Sequence, residues 1–235
     1  MLIDTTSRST ESELLDDFSL SGAELNNALD KIASINQLLG GNRVTVSGVS
    51  TLIQGLPSDR EIRIVDIGCG NGDMLRTLAG YAAKNGLNFR LTGIDANGAA
   101  IEHARELSRD SSSITYECQD FLTQPDQGRY DIVLCTLTLH HFSDAEIHQL
   151  ITLFQSRAAL GIVINDLHRH RLAYYLFRVI CYVFRLSELN RNDGLVSILR
   201  GFKKKDLHAF SRNLTGNVSI RWKWAFRYQW IIPTI

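Results

Sequence analysis

The chain has no surplus of either charge: 25 lysines and arginines stand against 25 aspartates and glutamates in 235 residues. A balanced total offers no electrostatic handle for nucleic acid phosphates, although it conceals a locally basic last third that includes Arg169, Arg191 and Lys203 to Lys205. The four cysteines, Cys69, Cys118, Cys135 and Cys181, are far apart and form no C-x-x-C pair, so they read as reduced packing residues outside zinc or dithiol chemistry. No apolar run approaches the ~20 residues that span a bilayer. The most apolar one, 172–186, is interrupted by Arg178 and Arg185. Residues 1–13 are polar and lack the basic cap and apolar core of a secretion signal, which makes the cytoplasm the expected compartment. His148, His168 and His170 do not have zinc-motif spacing, and no metal is expected. Neither a repeat nor a low-complexity linker divides the chain, so one domain over 1–235 is expected.

The hydrophobic pattern supplies the architecture. Thr10-x-x-Glu13 and Ser21-x-x-Glu24 match the capping box, and Leu25, Ala28, Leu29, Ile32, Ile35 and Leu39 then recur at helical spacing up to Gly40-Gly41. A second short helix is predicted over 47–54, completing a helical N-terminal cap at 1–58. Strands and helices then alternate, with strands at 62–67, 89–95, 114–118, 130–136 and 159–165 and helices at 73–84 and 97–108. A further helix opens at the capping box Ser143-x-x-Glu146. Ile132-Val133-Leu134 is apolar without alternation, as expected of a parallel strand covered on both faces. A helical lid is predicted over 167–213, with an apolar helix at 169–187, a polar loop at 190–194 and another helix near 203–213. Strands over 218–221 and 226–232 close the pattern.

The most informative stretch runs from Ile64 to Asp73, where a buried strand passes through Gly68, Gly70 and Gly72 into a helix. Glycines at alternate positions permit a sharp turn and close approach to a ligand, while the next helix offers free backbone N–H groups. The dinucleotide fingerprint G-x-G-x-x-G would place glycine where this chain has Asp73, a carboxylate unwelcome beside a pyrophosphate. That disfavours a nicotinamide-dependent oxidoreductase and favours a zwitterionic or cationic ligand.

With Asp66 before the turn and Gly93-Ile94-Asp95 ending the next strand, the pattern resembles the class I S-adenosylmethionine-dependent methyltransferases over roughly 60–165. The resemblance implies an α/β, Rossmann-like sheet, mostly parallel with an antiparallel final strand and helices on both faces. It also implies S-adenosyl-L-methionine as cofactor and S-adenosyl-L-homocysteine as product. Gly68, Cys69, Gly70 and Gly72 would lie along the methionine and ribose portions, with Asp66 near the ammonium group. Asp95 would accept from the ribose hydroxyls beside Ala96, and Asp120 and Phe121 would meet the adenine. Cys135 and Thr136 would end the fourth strand against the methionine amine.

The acceptor side begins at Leu137-Thr138-Leu139-His140-His141-Phe142, where enzymes acting on nucleobase amines carry an N-P-P-Y type motif. The double histidine is similar to that of small-molecule methyltransferases of the quinone-biosynthesis type. His140 and His141 are the candidate catalytic pair, able to take a phenolic proton or hold the hydroxyl; the competing reading has them packing under the cofactor and capping a helix. Asn165-Asp166 either lines the substrate pocket or caps the following helix. Ala173, Leu176, Phe177, Ile180 and Phe184 form a stripe on a helix that also carries Arg171, Arg178 and Arg185. It is read as a lid whose arginines face water, or, with the N-terminal helices, as the wall of an elongated apolar acceptor pocket or a contact with a membrane surface. With Trp222 to Tyr228, this pattern is similar to bacterial methyltransferases of phenolic lipids. The expected function is O-methylation of a small apolar phenolic or quinol-like acceptor, with C-methylation or a non-catalytic S-adenosylmethionine-binding module as alternatives.

Overall fold

A computed structural model describes residues 3–123, 128–214 and 216–234. Seven strands form one sheet in the order β3-β2-β1-β4-β5-β7-β6. They are β1 (Glu61–Ile67), β2 (Asn88–Asp95), β3 (Ile114–Cys118), β4 (Tyr130–Thr136), β5 (Ala158–Leu167), β6 (Ser219–Lys223) and β7 (Arg227–Pro233). β1 to β5 pair in parallel, and β7 enters between β5 and β6 antiparallel to both. Strand order reverses between β1 and β4, which opens a crevice beyond their carboxyl ends.

Helices α3 (Asp73–Asn85), α4 (Gly98–Leu107) and α5 (Asp144–Arg157) connect successive strands. Two apolar layers cover the sheet. One joins Val65, Val133 and Ile164 to Ile151, Phe154 and Trp230; the other joins Ile64, Leu91 and Ile132 to Leu75, Leu78 and Ile101. The Ser143 box forms as the sequence expects: the Ser143 hydroxyl accepts from Glu146 N–H and the Glu146 carboxylate accepts from Ser143 N–H.

The N-terminal segment differs from expectation. The Thr10 box starts no helix; Glu13 instead opens the single 3-10 turn Leu14–Asp16, where Asp16 accepts the Glu13 N–H. Helix α1 (Gly22–Leu38) starts after Ser21, but the Ser21 side chain makes no cap hydrogen bond; Leu25, Leu29 and Ile32, with Leu39 just beyond the helix, line a cavity. Helix α2 (Gly41–Leu52) begins well before the predicted residue 47. Gly41 permits this immediate restart, because a Cβ there would overlap the Asn36 amide.

The lid region also departs from its reading. Helix α6 is shorter than expected at Arg171–Val183, and the His170 ring accepts the Leu172 N–H at its start. The predicted polar loop 190–194 lies inside helix α7 (Glu188–Arg200). Asn, Asp and Gly disfavour helix locally, but tertiary contacts use each one's special property. Asp193 accepts the backbone N–H groups of Leu14 and Leu15, and Gly194 leaves room for the Phe177 ring, which would stand 2.3 Å from a Cβ. The last helix, α8, is confined to Lys204–Phe210. No helix among the described residues is long and apolar enough to cross a membrane.

Candidate active site

The β1–α3 turn needs glycine for backbone reasons first. Gly68, Gly70 and Gly72 have φ of 71°, 52° and 75°, the left-handed region that side-chain-bearing residues avoid. The space around them differs from the simple expectation of ligand clearance. A Cβ at Gly68 would be 2.3 Å from the Thr138 methyl and one at Gly72 would be 2.0 Å from the Tyr116 hydroxyl, so protein closes both positions. Gly70 alone of the three is open, with only Leu29 within contact distance at 3.7 Å. Gly72 shapes the turn and does not line the cavity beneath it.

That cavity has a volume of about 970 Å3 and runs from the glycine turn to the α6–α7 pair. Its lining brings together Asp66, Gly68, Cys69, Gly70, Asp95, Ala96, Asp120, Phe121, Thr136, His140 and His141. Cys135 is the second exception: its side chain is fully buried in the core under β4, away from the cavity.

Asp66 is 2% exposed at the end of β1, and its Oδ1 has no hydrogen-bond partner among the described residues. Burial, reinforced by the nearby Asp95 and Asp73 carboxylates, pushes its pKa up to about 8. An orphaned buried carboxylate is costly, and it presents a cavity with a standing demand for a cationic or donor group. Asp95 ties the turn to β2: its two oxygens accept Gly70 N–H and Asn97 N–H, each at 2.9 Å. Burial nevertheless holds its pKa above the usual carboxylate range despite these hydrogen bonds. Asp73 accepts from Asn42 at 2.7 Å and from Gln37, fastening the turn to the N-terminal helices. Asp120 folds its own turn through Leu122 N–H and the Thr123 hydroxyl, while Phe121 packs on Phe154 with ring centroids 5.7 Å apart.

The other end of the cavity centres on the 3-10 turn Leu139–His141. His140 is 2% exposed; its Nδ1 lies 2.7 Å from Asp166 Oδ1, and its Nε2 lies 3.5 Å from Glu13 Oε1. Burial alone would lower this imidazole, but Asp166 and Glu13 outweigh burial and raise it to about 10. Its Nδ1 is engaged by Asp166, while its Nε2 faces the Glu13 carboxylate across the longer gap. His141 is more open, with Nδ1 2.6 Å from Asp16 Oδ1 and 3.7 Å from Glu13 Oε1. Arg200 donates to the carbonyls of His140 and His141 and to Asp16 Oδ2 at 2.7 Å, and Arg8 adds bonds to the His140 and Phe142 carbonyls at 2.9 and 2.8 Å.

Asn165 and Asp166 serve this scaffold and do not line the cavity. Asn165 donates to the Gly41 carbonyl and Thr45 hydroxyl, whereas Asp166 anchors His140 and accepts its own neighbour's Leu167 N–H. His168 accepts from Trp222 Nε1 at 3.2 Å, and burial followed by the charges of His170, Lys203 and Arg169 lowers its pKa to about 4.

Glu13, Asp16 and Arg8 went unrecognised in the sequence as parts of this end of the site. The only local signal was the capping pattern around Glu13, which carries no hint that it meets a turn at His140. Backbone strain adds another mark: Leu137, Ala225 and Phe226 have φ of 55°, 61° and 53°, and all three line the cavity.

A methyltransferase-domain family model matches residues 64–158. The ubiquinone biosynthesis O-methyltransferase of Coxiella burnetii is 31% identical over 139 residues, covering 55% of this chain and 54% of that protein. The malonyl-[acyl-carrier protein] O-methyltransferase of Acetivibrio thermocellus is 28% identical over 116 residues, covering 48% and 39% respectively. The chain thus spans about half or less of these curated relatives' lengths. Among solved structures, the plantazolicin methyltransferase in complex with SAH superposes with a TM-score of 0.63 at 16% identity, covering 87% of this chain and 88% of that one. The magnesium protoporphyrin IX methyltransferase of Synechocystis PCC 6803 with bound SAH gives 0.56 at 16% identity and 83% of both chains. At such identities the structural likeness is one of fold.

Proposed function

We propose, from the premise that residues 64–158 belong to the methyltransferase-domain family, that this protein is an S-adenosylmethionine-dependent methyltransferase acting on a small, largely apolar acceptor. The favoured reaction is O-methylation of a phenolic or quinol-like hydroxyl. One observation carries the reading: Asp66 offers an unpartnered buried carboxylate to a cavity roofed by a glycine turn at the sheet's switch point. An α-ammonium group satisfies that demand, and a pyrophosphate does not.

When bound, the cofactor supplies a methyl group already activated on a sulfonium. The chain's part is placement and exclusion of water, for which oriented proximity can contribute ~7–11 kcal/mol. Asp66 holds the amine, and Asp95, fixed by Gly70 and Asn97, receives the ribose hydroxyls. Gly68, Cys69, Gly70 and Ala96 supply close backbone, Asp120 and Phe121 flank the base, and Thr136 ends the strand on the amine side. Gly72 and Cys135 support this arrangement from behind. His141 meets the acceptor oxygen, and His140, locked by Asp166, positions it.

The helices at 1–58 and 167–213 act as cap and lid over the acceptor, with the protein working in the cytoplasm. Leu176, Phe177 and Ile180 of α6 line the cavity, while Val179, Tyr182 and Val183 also expose apolar surface beside Arg178 and Arg185. That outer face suits contact with a membrane surface from which a lipophilic acceptor is drawn. The test is incubation with methyl-labelled S-adenosylmethionine and a panel of phenols and quinols, followed by solvent extraction. Protein-dependent label in a phenolic ether supports the reading. Label on ring carbon turns it to C-methylation, and label confined to protein or nucleic acid overturns the acceptor class.

A further inference from the structure

We infer that Glu13, His140 and His141 form a binding site for a divalent transition-metal cation at the acceptor end of the cavity. One ligand atom from each lies within 4.8 Å of the others. Glu13 Oε1 is 3.5 Å from His140 Nε2 and 3.7 Å from His141 Nδ1. A charge-assisted hydrogen bond would draw such pairs to about 2.7–2.9 Å. Two donors ~2.1 Å from one tetrahedral ion would instead be roughly 3.4 Å apart. The observed spacing fits ligands to a shared ion better than partners sharing a proton.

Two further observations point to the same place. Among the described residues, Glu13 Oε1 and His140 Nε2 are both buried without a hydrogen-bond partner, although the other ends of these side chains are firmly held. Glu13 Oε2 accepts the Ser197 hydroxyl at 2.7 Å, and His140 Nδ1 meets Asp166 at 2.7 Å. The second arrangement is the carboxylate–histidine support that orients a metal-bound imidazole and strengthens its donor nitrogen. Two imidazoles and one carboxylate suit Zn2+ and its transition-metal neighbours. Asp16 Oδ1 lies 2.6 Å from His141 Nδ1, so an ion bound at that nitrogen displaces the proton this pair shares, and all three ligands line the cavity.

The use of such an ion in catalysis rests on the methyltransferase reading, since it would fix and acidify an acceptor oxygen entering from the cavity. Binding itself is tested independently of turnover. Chelator-treated protein is titrated with Co2+, followed by its visible absorption, and bound Zn2+ is counted by elemental analysis after dialysis. S-adenosylhomocysteine binding is measured in parallel. The expected result is one ion per chain, at least tenfold weaker in both Glu13→Gln and His141→Ala, and about tenfold weaker in Asp166→Asn. His168→Ala, which removes a histidine outside the cluster, retains wild-type metal affinity. Circular dichroism and retained S-adenosylhomocysteine binding certify that the variants are folded. Absence of stoichiometric Co2+ and Zn2+ binding in the wild type overturns the inference, as does wild-type affinity in both folded Glu13→Gln and His141→Ala. Normal metal binding without S-adenosylhomocysteine binding leaves the site standing and removes the cofactor reading.

Discussion

The two ends of the cavity are built in opposite ways. At the glycine-turn end, the hydrogen bonds that hold Asp95 are short in sequence: Gly70 meets Asp95 across 25 residues, and Asp95 meets Asn97 across two. At the histidine end, His141 meets Asp16 across 125 residues and Arg200 meets the same Asp16 across 184. The first is a local product of two adjacent strand ends. The second exists only when the N-terminal segment, the β4 turn and α7 converge, so its geometry depends on the stability of the whole upper surface. The glycine-turn end is therefore nearly preformed, whereas the histidine end is a composite wall able to vary independently.

The strongest way to break this comparison is to remove the long-range clamp alone. Arg200→Met should lower stability by about 2–4 kcal/mol, because it removes the guanidinium from Asp16 and the His141 carbonyl and leaves the His140 carbonyl to Arg8 alone. Urea unfolding reads that loss, while S-adenosylhomocysteine affinity measured by calorimetry should stay within about twofold. A large loss of affinity in folded protein would show that the ends are coupled.

Gly72→Ala tests the opposite end. The positive φ and the Tyr116 hydroxyl should together cost about 1–3 kcal/mol, read again by urea unfolding. An unchanged midpoint would mean that Tyr116 moves aside and the turn tolerates the strain.

Asp95→Ala should weaken S-adenosylhomocysteine at least tenfold, equivalent to about 1.4 kcal/mol, without unfolding the chain. Unaltered affinity would remove this carboxylate from the ligand site.

A further test concerns pH and sharpens the role of Asp66. Its folded pKa of about 8 lies above the ordinary value of 3.8, so the folded protein holds a proton that the unfolded chain has released between those values. The stabilising contribution is fully present below the lower value and is lost as pH rises through the upper one. Asp66→Asn should flatten this part of the unfolding profile measured between about pH 5 and 8. An identical wild-type slope would assign the proton to another group.

Much of the fold was legible because its elements follow local patterning. β1 was expected at 62–67 and spans Glu61–Ile67, while the predicted 114–118 and 130–136 strands coincide with β3 and β4. Legibility failed where a residue's local preference yields to a distant contact. Asn190 to Gly194 reads as a loop, but Asp193 is drawn to the Leu14–Leu15 backbone and Gly194 admits Phe177. The same divide runs through the site: Asp66, Gly70 and Asp95 form a sequence motif, whereas Glu13 and Asp16 offer no local sign of meeting His140 and His141.

The sequence by itself determined the alternating strands and helices, the glycine turn and the carboxylates ending β1 and β2, because hydrophobic period and backbone freedom are properties of neighbouring residues. Only the tertiary structure decided that Cys135 turns into the core, that Asp66 is left without a partner, and that Glu13 stands over the paired histidines. Those outcomes depend on which distant surfaces exclude water together, and desolvation then turns ordinary side chains into a site with unmet electrostatic demand.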